Sequence, residues 1–152
     1  ASPQIAIAGA AGARGVGSLA WWEGQSSYGR IESPEMVPGG MCLRYSTGVH
    51  EVDTVDGMLL VMSAWAAREL RFDVELSGPL DGYDLDICLQ ARERGRRVVA
   101  GGLNVAHHSR PDTWFDHARW VRAAAAVQRK WDLAPLRPGW AAAAHPPRHG
   151  GR

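Results

Sequence analysis

The chain has 152 residues, 45% of them hydrophobic, enough for one domain with a real core. A formal net charge of +1 argues against nucleic acid or an anionic membrane as partner. No apolar run approaches the roughly 20 residues that span a bilayer, and no charged-then-apolar leader opens the sequence. The two cysteines, Cys42 and Cys88, suit neither a disulfide framework nor a zinc site. Both read as reduced core residues, which fits a cytoplasmic protein. Lys130 is the only lysine; every other basic residue is arginine.

Residues 4–9 form a short apolar run with the character of a buried strand. Residues 9–17 read as a Gly/Ala loop and residues 21–40 as a long loop anchored by Trp21-Trp22. Two short strands follow at 41–46 and 49–53, around a turn at Thr47-Gly48. Residues 57–62 are strand-like, and Ser63 suits the N-cap of a helix over 64–70. After a loop at Ser77-Gly78-Pro79, a helical pattern begins at Asp84. Leu85, Cys88 and Leu89 share one face, and Gly95 closes the helix with Arg92 and Arg94 in the last turn. Residues 98–100 and 103–106 are strand-like. Asp112 or Thr113 suits the cap of a last helix over 114–131, with Phe115, Ala118, Val121, Ala125 and Val127 available for packing. Residues 133–152 are expected to be a disordered tail. The fold class is α/β without regular strand–helix alternation.

Several groups carry chemistry. Gly9-Ala10-Ala11-Gly12-Ala13-Arg14-Gly15 follows an apolar strand as a dinucleotide-binding loop does, and Glu32 lies about 20 residues on. No helical stripe follows, and Glu32 stands close to Pro34, so a simple strand exit accounts better for these residues. A nicotinamide-dependent oxidoreductase is the rival this loop would support. Asp84 and Asp86 stand at a helix start, where the helix dipole stabilises acids by about 0.3–1 kcal/mol each. A carboxylate there also suits a general base, and two positions apart on a helix only one of the pair faces a given substrate. His107 and His108 end a strand and point to opposite sides of it. One imidazole beside carboxylates is able to complete a Mn²⁺ or Mg²⁺ site. Asp56-Gly57 is either a turn at a strand entry or a backbone close to a ligand, with Asp56 accepting from a hydroxyl. Trp21, Trp22 or Trp114 offers a ring for the C–H face of a sugar.

As a set, Val55-Asp56-Gly57-Met58-Leu59-Leu60, Arg71-Phe72-Asp73, Tyr83-Asp84-Leu85-Asp86 through Gly95, and Val105-Ala106-His107-His108-Ser109 resemble the inverting GT-A-fold glycosyltransferases of family 2. With the opening strand and Trp21-Trp22 they are similar to a subgroup related to a streptomycin-biosynthesis glycosyltransferase domain. The resemblance covers about residues 4 to 132. It implies a partial GT-A-like mixed sheet with flanking helices over residues 1–132. It implies transfer of a sugar from a nucleotide-sugar donor to a hydroxyl-bearing acceptor, with Asp84 as catalytic base. It further implies acceptor contacts at Asp56, Gly57, Asp86 and Trp114, and a divalent cation, Mn²⁺ or Mg²⁺, contacted by His107 or His108. The family's nucleotide-binding half and its strand-ending Asp-x-Asp have no counterpart in the sequence. The expectation is therefore an acceptor-side portion completed by an N-terminal half or a partner chain. The alternative is a non-catalytic remnant that binds carbohydrate or protein.

Overall fold

The apolar run at the start of the chain forms the centre of a sheet. In the computed structural model, which describes residues 4–33, 41–44, 48–74, 76, 82–103, 105–107 and 117–133, strand β1 spans Ile5–Gly9. The strands that follow are β2 (Ala11–Arg14), β3 (Ser26–Ser33), β4 (Met41–Arg44), β5 (Val49–Val52), β6 (Thr54–Val55), β7 (Val61–Met62), β8 (Arg97–Gly101) and β9 (Val105–Ala106). Helices α1 (Ala64–Glu69), α2 (Tyr83–Glu93) and α3 (His117–Trp131) complete the fold, with one 3-10 turn at Trp21–Glu23.

Two sheets share two continuous stretches of chain. The first sheet runs β5–β8–β1–β7, with β1 parallel to β8 and the other pairs antiparallel. Past Ala10 the same chain continues as β2 but changes partners, pairing antiparallel with β3 and β6. The segment β5–β6 bends likewise at Asp53, from β8 to β2. The second sheet runs β4–β3–β2–β6, and β9 adds to β3 in parallel. At the first bend Gly29 lies opposite Ala11 with φ of 106°, and a Cβ there would overlap the Ala10 carbonyl. Only glycine takes that conformation without strain.

Three apolar clusters hold these layers. Ile7, Val52, Val55, Val98 and Ala100 of the strands pack against Ile87, Cys88 and Ala91 of α2 and Ala66 and Leu70 around α1. Burial pushes the Cys88 thiol up to about 12, so it stays a neutral core group. Leu85 packs with Leu19, Leu76 and the stripe Trp120, Ala123, Ala124 and Val127 of α3. Ala11, Ala13 and Trp21 form the third cluster. The Ser63 hydroxyl accepts the Ala66 N–H at 3.2 Å and caps α1. Gly95, at φ 69°, follows the end of α2 as a C-terminal glycine does.

The α/β class holds, and the mixed sheet with flanking helices is present. Three local expectations change. Residues 11–14 and 26–33 are strands, not loops; Ala, Gly and Ser carry little strand propensity, and partners distant in sequence supply the pairing. Of residues 57–62 only Val61–Met62 joins a sheet. The α3 stripe is rotated from the expected one, leaving Val121 51% exposed while Val127 is buried. The expected cap at Asp112 or Thr113 and the tail from residue 134 lie outside the described residues. Because strand β2 follows β1 directly, the Gly9 segment opens no helix and the nicotinamide-cofactor reading loses its basis. Among the described residues no helix is long and apolar enough to cross a membrane.

The bend predicts a stability effect. Gly29→Ala should lower the unfolding free energy by about 3 kcal/mol. Urea denaturation should show a lower midpoint with an unchanged slope; an unmoved midpoint would contradict the packing at Ala10.

Candidate functional site

Asp56 leaves β6 and turns the chain. Its N–H donates to the Ala11 carbonyl at 2.8 Å, and its side-chain Oδ1 accepts the Met58 N–H at 2.9 Å. This Asx turn presents the Gly57 peptide to the first turn of α2. The Gly57 N–H donates to Asp84 Oδ2 at 3.0 Å, and the Gly57 carbonyl accepts the Tyr83 hydroxyl at 2.9 Å. Consecutive helix residues thus hold both polar groups of one glycine. A Cβ at position 57 would overlap the Tyr83 hydroxyl, so no larger residue keeps this approach.

The electrostatics follow from that packing. Asp84 Oδ1 accepts the Leu85 N–H at 2.8 Å, so both carboxylate oxygens are held by backbone donors. Part of the residue remains at the surface, while the carboxyl lies beneath it. Burial raises the Asp84 carboxyl to about 6, the neighbouring Asp56 charge adds to the rise, and the hydrogen bonds from Leu85 and Gly57 oppose it. Burial also raises Asp56, while the Met58 hydrogen bond and the charge of His107 act the other way. His107 directly follows β9, and the pairing of β9 with β3 carries it within charge range of Asp56.

The fold therefore gathers Asp56, Gly57, Asp84 and His107. Asp86, for which an acceptor contact was expected, turns to a different side of α2 and is taken up by protein donors. Its side chain is 1% exposed. Oδ1 accepts Trp131 Nε1 at 2.7 Å and pairs with Lys130 Nζ at 2.9 Å, and Oδ2 accepts Gln90 Nε2 at 2.8 Å. Helical geometry explains the split: a step of two residues turns the side chain to a different side of α2, and there Asp86 fastens α3. Lys130 Nζ also pairs with Asp73 Oδ2 at 2.7 Å. Trp114 and His108 lie outside the described residues.

The sequence reading passed over two further groups. Tyr83 orients Gly57, and its only signal was adjacency to Asp84. Asp53 accepts the N–H groups of Gly15 and Val16 at 2.6 and 3.2 Å and pairs with Arg92 at 2.8 Å, tying the exit of β2 to α2. Among the described residues no three His, Cys, Asp or Glu side chains come together as a metal site. Asp56 and His107 therefore do not by themselves make a cation centre.

No family model matches the chain. Over 108 residues the chain is 27% identical to the streptomycin biosynthesis protein StrF of Streptomyces griseus. The aligned part covers 70% of this chain and 37% of that protein, so the chain spans well under half of the relative's length. The similarity is to a biosynthetic protein.

Two outcomes follow from this geometry. Folded Asp84 holds its proton up to about 6, against an ordinary 3.8. Between those values the native state binds more protons than the unfolded state, so this group's contribution to stability is lost as pH rises. The stability of the parent chain relative to Asp84→Asn should therefore fall from about pH 4 to about pH 7 and then level off. Parallel melting curves across that range would contradict the buried carboxyl. Asp86→Ala, which strands the Trp131 N–H, should cost about 3 kcal/mol in chemical denaturation; a loss within error of zero would refute its role as the α2–α3 tie.

Proposed function

We propose that the chain is the acceptor-side part of a GT-A-like, family 2 inverting glycosyltransferase. The observation that carries this reading is the Asp84 carboxylate, held by the Gly57 and Leu85 N–H groups at the start of α2 and raised to about 6 beside Asp56. A base with that affinity is mostly unprotonated at neutral pH yet still takes a proton readily. The similarity to a streptomycin biosynthesis protein supports a biosynthetic setting.

In this reading Asp84 removes the proton of an acceptor hydroxyl as that oxygen attacks the anomeric carbon of a nucleotide-sugar. The bond from that carbon to the diphosphate oxygen breaks, the diphosphate leaves with the electron pair, and configuration inverts. The proton ends on Asp84. The carboxylate has about four lone-pair sites and takes backbone N–H groups from Gly57, Leu85 and Asp84 itself, which leaves capacity for the incoming proton. Asp56 accepts from the acceptor and holds it against Asp84, a positioning effect that raises the effective concentration of the hydroxyl. A divalent cation on the leaving diphosphate belongs to the reading as charge stabilisation. The described residues do not assemble its ligands, and no step here is assigned to it.

Transfer of radiolabelled sugar from nucleotide-sugars by the gene-encoded protein tests this. Asp84→Asn should lower kcat by about 10²–10⁴ with the circular dichroism spectrum unchanged. Transfer by that variant at the parent rate would remove Asp84 from the mechanism.

A further inference from the structure

An exposed aromatic ring stands against Tyr83, whose hydroxyl holds the Gly57 carbonyl, and the site described above gives it no task. Phe72 is 48% exposed, in the extended stretch after α1. Single exposed apolar residues are ordinary on protein surfaces. This one differs in being held on two sides. Its ring meets the edge of Tyr83 with centroids 6.0 Å apart at an interplanar angle of 63°. The next residue, Asp73, is bound by Lys130 Nζ, which also grips the buried Asp86. Val74, 84% exposed, extends the apolar strip.

The contacts form an unbroken run from this ring to the acids. Phe72 touches Tyr83, the Tyr83 hydroxyl binds the Gly57 carbonyl, and the Gly57 N–H binds Asp84. The Tyr83 hydroxyl is engaged there, so its ring serves as a wall. Asp56, one residue before Gly57, uses Oδ1 for the Met58 N–H; among the described residues no donor reaches its Oδ2. The Phe72–Tyr83 pair therefore stands at one end of this run, and a carboxylate oxygen with open acceptor capacity lies one residue before the glycine at its centre.

From this juxtaposition we propose that the acceptor is a neutral pyranose whose C–H face stacks on Phe72 while one of its hydroxyls donates to Asp56 Oδ2. A pyranose carries an apolar C–H face and a rim of hydroxyl donors in one rigid ring. It satisfies the aromatic face and the carboxylate together. An apolar alcohol brings a single hydroxyl, which cannot serve both the attack at Asp84 and the hydrogen bond to Asp56, so one acid stays without a donor. A carboxylated or phosphorylated acceptor meets two like charges. Because Tyr83 meets the ring and the Lys130–Asp73 pair ties down the next residue, stacking on it loses little side-chain entropy. The term acceptor rests on the transferase reading; the binding site itself does not need turnover.

The test uses protein labelled with 4-fluorophenylalanine, in which Phe72→Leu assigns the Phe72 fluorine resonance. Titrants are methyl glycosides of glucose, galactose, mannose, rhamnose and N-acetylglucosamine, with cyclohexanol and glucuronate as apolar and anionic controls. At least one glycoside should move the resonance saturably while both controls leave it in place. Asp56→Asn should weaken that binding by about fivefold or more. In the transfer assay Phe72→Ala should raise the acceptor KM by about tenfold with kcat nearly unchanged, and Phe72→Trp should keep the parent KM. The proposal is overturned if no glycoside moves the resonance, if cyclohexanol moves it equally, or if Asp56→Asn binds as the parent does. Saturable glycoside binding by a protein that transfers no sugar would remove the transferase reading and leave this site. Transfer at unchanged KM in Phe72→Ala would remove this site and leave the transferase reading.

Discussion

One glycine peptide joins the two halves of the candidate site. The Gly57 N–H and carbonyl are both taken by α2, through Asp84 and Tyr83, so the exit of β6 and the start of the helix move as a unit. Everything chemically interesting depends on that join. It buries the Asp84 carboxyl, sets its distance from Asp56, and places the Tyr83 ring against Phe72. A side chain at position 57 would push the helix away, and with it the acid.

The same helix makes a second, purely structural use of a carboxylate. Asp86 is sealed from solvent and saturated by Trp131, Lys130 and Gln90. A buried acid is costly unless its lone pairs are met, and here three donors meet them. Two aspartates, two positions apart on one helix, are therefore driven in different directions. Asp84 keeps a raised proton affinity and, among the described residues, is held by backbone donors alone. Asp86 is committed to holding α3 and, through Lys130, the Phe72 segment. Lysine suits that place because a compact ammonium serves two carboxylates from different elements at once.

The split between the two sheets explains how distant segments meet. Because β1 runs on into β2 and β5 into β6, one extended chain serves each sheet in turn. The bend at Asp53 directs the following residues, Asp56 and Gly57, toward the helix. The parallel addition of β9 to β3 then delivers His107 to the same end. None of these approaches is local in sequence.

What the amino-acid sequence determined alone is what short-range physics controls. The apolar run of β1, the Ser63 cap and the Gly95 that closes α2 were legible because hydrophobic period and capping chemistry act within a few residues, whereas α2 buries two sides, Leu85 toward α3 and Ile87, Cys88 and Ala91 toward the strands. Asp84 could be singled out as an acid at a helix start for the same reason. The strands at Ala11–Arg14 and Ser26–Ser33 were not legible, since small and polar residues become strands only when remote partners complete the ladder. The face that α3 buries was decided by where Leu19, Leu76 and Leu85 stand. The tertiary structure also separated Asp84 from Asp86 and gave Tyr83 and Phe72 their places. Proton affinity, burial and ring contact depend on neighbours tens of residues away in the chain, and no local pattern encodes them.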